Sequence, residues 1–169
     1  MQSSRIPGSA WLWLCGLALM LSSCGYTFGY RVPGGVSLVA VPQFRNETFP
    51  LRREVDFELT RAVKQELQLR SDVRVVSKSS AEGILEGTIL SFQEGVLTEG
   101  ALDAVQESSI QVRVRIRFIR TADESVILDQ IVSDHADFSN VAGETLEDAR
   151  REAISEIAER IVSRLEAWD

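Results

Sequence analysis

The chain has 169 residues, with 18 basic and 25 acidic side chains and a single histidine, and its formal net charge is −7. This length is sufficient for one domain with a substantial hydrophobic core. The acidic balance argues against nucleic acid as a partner, because contacts with phosphates require a basic surface.

The first 23 residues have the features of a bacterial secretory signal. Arg5 is the only charged residue among them, and residues 10–21 (AWLWLCGLALML) contain no charge. This run is too short for a transmembrane helix, which needs about 20 apolar residues. We therefore predict that residues 1–23 are a signal peptide that is removed. Its removal leaves 146 residues and changes the net charge from −7 to −8, because Arg5 is lost.

Cys24 directly follows this signal, in the sequence Leu21-Ser22-Ser23-Cys24. The tetrapeptide resembles the lipobox of bacterial lipoproteins, in which the cysteine thiol is joined to diacylglycerol and the new amine is acylated. The alternative, ordinary signal cleavage near Ser23, would leave a lone cysteine thiol in the mature protein. Two or more acyl chains give stable attachment, at about 0.8 kcal/mol per buried CH₂. We predict that Cys24 is lipidated, and Gly25, in place of aspartate, is typical of lipoproteins routed to the outer membrane.

The segment after the cysteine predicts a tether followed by a β-α-β unit. Residues 24–35 are rich in glycine, and residues 36–41 (VSLVAV) read as a buried strand that ends at Pro42. Residues 43–53 predict a polar loop. Residues 54–69 predict a helix, and residues 73–76 a second strand. The apolar stripe of the helix consists of Val55, Leu59, Ala62, Val63 and Leu67.

The second half of the chain predicts a series of hairpins and a final helix. Residues 84–92 and 126–132 are strand-like, and residues 110–118 alternate strictly between apolar and polar side chains. Residues 93–106 fit either a long hairpin loop or two ragged strand ends. Residues 143–168 predict a long amphipathic helix. Its apolar stripe consists of Leu146, Ala149, Ala153, Ile157, Ile161 and Leu165, widened by Ile154, Ala158 and Val162.

The predicted order of elements, β-α-β-β-β-(β)-α, indicates an α+β fold. The first β-α-β unit predicts a parallel strand pair with a right-handed crossover, and the later hairpins predict antiparallel pairing. Two helices with apolar stripes must both be covered. We therefore predict that residues 36–169 form a single domain, in which a mixed four- or five-stranded sheet carries both helices on one face.

The sequence contains no recognisable catalytic or metal-binding motif. His135 lies near Asp134 and Asp137, but a loop histidine beside solvated acids explains this grouping better than a metal site does. The motifs G-x-S-x-G and H-E-x-x-H and any Walker-type loop are absent from the sequence. We predict that the protein is not an enzyme and has no catalytic residues, no metal site and no cofactor.

A row of arginines is the one candidate binding feature. Arg113, Arg115 and Arg117 alternate along the clearest strand, so their side chains share one face and lie about 7 Å apart. Arg120 follows just beyond. One interpretation is a solvated strand face whose long basic side chains discourage edge pairing. The other is a docking surface for phosphate or carboxylate groups, which the guanidinium fork fits well.

Several short motifs, in their order along the chain, resemble the lipopolysaccharide-assembly lipoprotein family LptE. The family has a lipidated Cys-Gly-aromatic start, a Val-Pro tether, a strand ending in proline, an F-x-N-x-T loop and a helix rich in E-L-T-x-A. The corresponding residues are Cys24-Gly25-Tyr26, Val32-Pro33, Val39-Ala40-Val41-Pro42, Phe44-Arg45-Asn46-Glu47-Thr48, Glu58-Leu59-Thr60-Arg61-Ala62 and Ala81-Glu82-Gly83-Ile84-Leu85-Glu86-Gly87. The terminal amphipathic helix also matches.

The resemblance implies a lipid-anchored domain on the periplasmic face of the outer membrane. It implies that the domain is a plug inside an LptD-type outer-membrane β-barrel and helps to insert lipopolysaccharide into the outer leaflet. The family also contacts lipopolysaccharide through basic residues. Our assignment of that role to Arg113, Arg115, Arg117 and Arg120 is a separate hypothesis that the family motifs do not supply.

Two other classes remain open at this stage. The sequence V-A-V-P-x-F before a helix also resembles the N-terminal domain of TolB and curli-secretion lipoproteins, which are periplasmic assembly modules. A lipid-anchored hydrolase is the second alternative. Co-purification with a barrel protein favours the plug, whereas a buried acid–base pair would favour the enzyme.

Overall fold

The computed structural model describes residue 32 and residues 35–99, 105–139 and 145–166, with the backbone alone at 96–99, 105–108 and 138–139. The predicted signal peptide, the predicted lipidation site Cys24 and most of the tether lie outside these residues. None of the described helices combines the length and the apolar character needed to cross a membrane.

The described residues contain six strands and two helices, together with a short 3-10 turn at Lys78–Ser80. In chain order the elements are β1 (Leu38–Ala40), β2 (Arg45–Asn46), α1 (Val55–Arg70), β3 (Arg74–Val75), β4 (Gly83–Glu99), β5 (Val105–Arg120), β6 (Val126–Ser139) and α2 (Leu146–Glu166).

All six strands form one mixed sheet, in which the main path runs β3-β1-β4-β5-β6 and β2 pairs with β4. β1 is parallel to both β3 and β4, and β2 is also parallel to β4. The pairs β4–β5 and β5–β6 are antiparallel. The predicted α+β class, the parallel pair of the first β-α-β unit and the antiparallel hairpins are therefore confirmed.

Residues 93–106 follow the second of their two predicted alternatives, because β4 continues to Glu99 and β5 begins at Val105, so most of the segment forms two strand ends. The structure differs from the sequence prediction in two other segments. β6 extends to Ser139 rather than ending at Val132, because the alternation of buried and exposed positions continues through residues 133–137. The predicted polar loop contains the two-residue strand β2, and the sheet has six strands instead of the four or five predicted.

The core lies between one face of the sheet and the two helices. The inward side chains of β5 are fully buried: Ile110, Val112, Val114, Ile116 and Phe118. The stripes of both helices pack against them in a single cluster. Two predicted members of these stripes differ, since Ala62 is only partly buried and Leu146, in the first turn of α2, is 46% exposed. Both helices therefore cover the same face, as predicted, and the other face of β5 is left open.

Two local features hold the elements in place. Thr145 and Asp148 form a capping box at the start of α2: the Asp148 N–H donates to Thr145 Oγ1 at 3.2 Å, and the Thr145 N–H donates to Asp148 Oδ2 at 3.3 Å. The Phe44 ring packs flat against β4 where Gly87 leaves space, and the Phe44 N–H donates to Thr60 Oγ1 at 2.9 Å. The second contact ties the segment before β2 to α1.

Candidate functional site: the open face of the sheet

The alternation of β5 places three of the four predicted arginines together on the open face. Arg113 and Arg115 are exposed and Arg117 is partly exposed. Arg120 does not join them, because it lies two residues after the buried Phe118 and is therefore on the same side of β5 as that residue. It pairs with Asp123 of the following turn at 3.5 Å. The predicted row therefore consists of Arg113, Arg115 and Arg117.

Arg115 is held by a carboxylate of the neighbouring strand. Its Nε and Nη2 atoms donate to Asp129 Oδ1 and Oδ2, both at 2.8 Å, in a two-pronged pair across β5 and β6. These hydrogen bonds from Arg115 lower the pKa of Asp129 below its usual value, and the charges of Arg115 and Arg117 act in the same direction. An anionic ligand at this point must therefore compete with a well-formed ion pair.

The other two arginines of the row are held less tightly. Arg117 lies between two carboxylates, 3.8 Å from Glu86 and 3.6 Å from Asp129, and its Nε atom has no hydrogen-bond partner. Arg113 forms no ion pair within the described ranges 35–99, 105–139 and 145–166. The guanidinium of Arg113 is thus the member of the row that is most available to an external anion.

Arg45 is a further cation on this face, and the sequence pattern of residues 43–53, which predicts a loop, does not indicate it. β2 places Arg45 opposite Thr88 of β4, and Arg45 Nη2 donates to Thr88 Oγ1 at 3.3 Å. A cleft of about 150 Å³ lies between β2 and the arginine row, lined by Arg45, Glu47, Glu86, Thr88, Leu90, Arg115 and Arg117. Only the parallel pairing of β2 with β4 reveals this grouping.

The chemistry of this face is that of a mixed-charge binding surface. Guanidinium groups at strand spacing can donate several hydrogen bonds to phosphate or carboxylate oxygens, and the neighbouring acids set which anions can displace them. Within the described residues no group of three or more His, Cys, Asp or Glu side chains could hold a metal ion. The surface is suited to binding an anion by charge and hydrogen bonds.

His135 lies in β6, so its prediction as a loop residue is wrong. Its side chain is exposed, whereas that of Asp134 is buried on the opposite face and accepts a hydrogen bond from Arg160 Nε at 2.6 Å. The two side chains therefore cannot form one site. Asp137 shares the face of His135 but lies two residues, or about 7 Å, further along the strand.

The fold resembles several solved structures at low sequence identity. The hypothetical protein CT253 from Chlamydia trachomatis matches with a TM-score of 0.56 and 16% identity, covering 78% of this chain and 96% of that one. A minor lipoprotein from Acinetobacter baumannii has a TM-score of 0.53 and 14% identity, with coverages of 78% and 91%. An uncharacterized lipoprotein B from Nitrosomonas europaea has a TM-score of 0.51 and 14% identity, with coverages of 81% and 88%.

These similarities concern the fold alone, because all three identities are below 25%. No curated protein sequence matches the chain significantly. A family model described as "LptE: Lipopolysaccharide-assembly" matches residues 37–165, which are most of the chain and include all six strands and nearly all of both helices. The chain therefore belongs to the LptE family of lipopolysaccharide-assembly proteins, which are not enzymes.

Proposed function

We propose that the protein is a lipoprotein of the outer membrane that acts as the plug and assembly partner of an LptD-type β-barrel during lipopolysaccharide insertion. The observation that carries this proposal is the family match over residues 37–165. Membership of a lipopolysaccharide-assembly family also favours this role over the TolB-like, curli-secretion and hydrolase alternatives.

The proposed anchor is Cys24, and the position of the first described residues agrees with it. Val32 is buried and forms a bridge with Val36, next to the start of β1. The chain therefore enters the domain at the end of the sheet that carries the β5–β6 turn. Residues 24–32 span at most about 28 Å when fully extended. An acylated Cys24 would thus hold this end of the domain close to the membrane.

The opposite end of the domain carries exposed apolar side chains. Phe49 is 94% exposed, Phe57 is 62% exposed and Leu51 is 64% exposed. The segment with Phe49 and Leu51 lies beside the outer half of β4, because Arg52 Nη1 is 3.2 Å from Glu94 Oε1. We propose that these side chains contact the barrel, since large exposed apolar side chains are typical of protein interfaces.

Lipopolysaccharide binding is proposed for the open face of the sheet. The phosphates of lipid A would contact Arg113 first. They would then contact Arg45, and also Arg115 and Arg117 once the ion pairs of these two residues rearrange. Arg120 is left out of this surface because it lies beyond the end of the row and pairs with Asp123. The negative charge of the whole chain would otherwise repel the ligand, so binding depends on these few cations.

The anchor is tested by Cys24→Ser in the full-length chain. The variant should not be labelled by fatty-acid probes and should fail to fractionate with the outer membrane. Cys15→Ser, inside the apolar run, is the matched control and should leave labelling unchanged. A Cys24→Ser protein that still carries label and fractionates with the outer membrane would disprove the anchor.

The barrel partnership is tested by affinity purification of the lipidated chain from membranes, followed by identification of any heat-modifiable barrel protein. Phe49→Ser combined with Phe57→Ser should reduce recovery of the barrel while the domain stays folded. Leu69→Ser is a control at the tethered end, since Leu69 is also highly exposed. If no barrel protein is recovered with the wild-type chain, the plug function is wrong.

Lipopolysaccharide binding is tested by replacing Arg113, Arg115 and Arg117 together with glutamine. The matched control replaces Arg61, Arg74 and Arg164, which are also exposed and change the net charge equally. The first variant should bind lipopolysaccharide at least about tenfold more weakly, and wild-type binding should fall with salt because exposed charges are screened over about 10 Å at 0.1 M. If the two variants bind lipopolysaccharide equally well, the arginine row is a solvated strand face and not a binding surface.

A further inference from the structure

β6 is a long strand at the edge of the sheet that the structure describes. It has 14 residues and pairs only with β5 among the described residues. The Arg120 N–H donates to the Ser125 carbonyl at 2.9 Å, and the Thr121 N–H donates to the Glu82 carbonyl at 2.8 Å. The backbone N–H and C=O groups of the even-numbered residues of β5 therefore point towards β6. Val112 is opposite Asp134, so the backbone groups of the even-numbered residues of β6 form hydrogen bonds with β5. The backbone groups of the odd-numbered residues therefore point away from the sheet.

The outward backbone groups of β6 include donors and acceptors that no described residue pairs with. The N–H and C=O groups of Asp129, Ile131 and Ser133 have no hydrogen-bond partner in the part of the chain that the structure describes. The His135 N–H is capped, because it donates to Asp134 Oδ1 at 3.0 Å. A long row of such groups on a strand edge is a template to which another strand can add.

Acidic side chains are concentrated at this edge, and two of them are paired with arginines of neighbouring elements: Asp129 with Arg115 of β5, and Glu159 with Arg70 of α1. Residues 126–139 contain three aspartates and neither lysine nor arginine. Beside the edge, β6 and α2 enclose an open cleft of about 550 Å³, lined by Asp134, Glu156, Glu159, Arg160, Ser163 and Arg164. Asp134 is already bound to Arg160, and Glu156 forms no ion pair within the described residues. The pKa of Glu156 is raised by burial and by the nearby charge of Asp134.

We propose that the edge of β6 binds an extended segment of a partner protein that adds to the sheet as a further strand and carries Lys or Arg at alternate positions. Alternate side chains of an added strand lie on the helix side, where they enter the cleft beside Glu156. A second copy of this chain would instead add another acidic strand. The tether fits poorly, since residues 24–31 contain Arg31 as their only cation. This inference does not depend on the barrel partnership.

The test uses the full mature chain in neutral detergent and two acetylated octapeptides, one of alternating Thr and Lys and the other of alternating Thr and Glu. The Lys peptide should bind, and it should slow the hydrogen exchange of the outward amides of β6. Ser133→Pro should weaken its binding at least about tenfold, because it removes an outward donor that makes no bond to β5. Ser133→Ala is the matched control and should bind like the wild type.

A second measurement does not depend on the folding of the proline variant. A Lys peptide with alternate amides N-methylated keeps its charge but loses the donors of one edge, so it should bind wild-type protein at least about tenfold more weakly. Equal binding of the Lys and Glu peptides, or of the methylated and unmethylated peptides, would overturn the proposal. A dimer of the free chain that Ser133→Pro dissociates would overturn it in favour of a second copy. If the outward amides are already protected from hydrogen exchange before peptide is added, another part of this chain occupies the edge and the proposal is wrong.

Discussion

Gly87→Ala should destabilise the domain, because the position is filled by an aromatic ring. A Cβ atom built on Gly87 would lie 2.3 Å from Cδ2 of Phe44 and 2.5 Å from its Cγ. The ring cannot withdraw easily, since Phe44 is 2% exposed and its N–H is bound to Thr60. We expect an overpacking cost of about 1–3 kcal/mol. This cost exceeds the gain of roughly 0.4–1 kcal/mol from the lower entropy of the unfolded alanine chain.

Gly95→Ala is the matched control on the same strand. Among the described residues, a Cβ atom there would have only the Ser109 hydroxyl nearby, at 3.6 Å, which is an ordinary contact distance. The free energy of unfolding, measured by urea denaturation, should therefore be unchanged or higher by up to about 1 kcal/mol.

A double-mutant cycle isolates the contact between Gly87 and Phe44. Phe44→Leu shortens the side chain that meets the new methyl group, so Gly87→Ala should cost less in that background, by roughly 1 kcal/mol or more. If the cost of Gly87→Ala is the same with Phe44 and with leucine, or if Gly95→Ala costs as much as Gly87→Ala, the explanation through the ring is wrong.

Three further predictions concern α2. Ile157→Ala should lower the free energy of unfolding by roughly 2–5 kcal/mol, because Ile157 is fully buried; a change within about 0.5 kcal/mol would indicate an exposed helix face instead. Thr145→Ala should cost about 1 kcal/mol through loss of the cap, and Thr145→Ser, which keeps the hydroxyl, should recover most of it. The raised pKa of Glu156 means that its ionised form destabilises the fold, so Glu156→Gln should be more stable than the wild type at pH 7. This gain should disappear as the pH falls below the usual glutamate pKa, and a gain that persists in acid would exclude the explanation by ionisation.

The sequence predicts most accurately where the side-chain pattern and the burial pattern coincide. β5 alternates between five fully buried apolar residues and exposed polar ones, so both the strand and the common face of its arginines are correctly predicted. β6 follows the same alternation, but one of its later inward positions is Asp134. A buried aspartate that is paired with Arg160 looks like a loop residue in the sequence, so the sequence pattern does not predict the end of this strand.

The part of the site that was missed depends on contacts between distant residues. β2 has only two residues, and its pairing with Thr88 and Ile89 involves positions 43 residues away. No local pattern of two residues can indicate such a strand. Arg45 could therefore not be added to the arginine row from the sequence, and the pairing of Arg115 with Asp129 was equally invisible because it requires the register of β5 and β6.

The position of β1 has a consequence for the order of folding. β1 lies between β3 and β4, and both of its neighbours come later in the chain. A chain that emerges from its N-terminus therefore cannot complete the bonds of β1 until residues 83–84 are available. The meander of β4, β5 and β6 has short connections, so its loops close at lower entropic cost. We expect that the hairpins form first and that β1, although it precedes them in the chain, is added to an existing sheet.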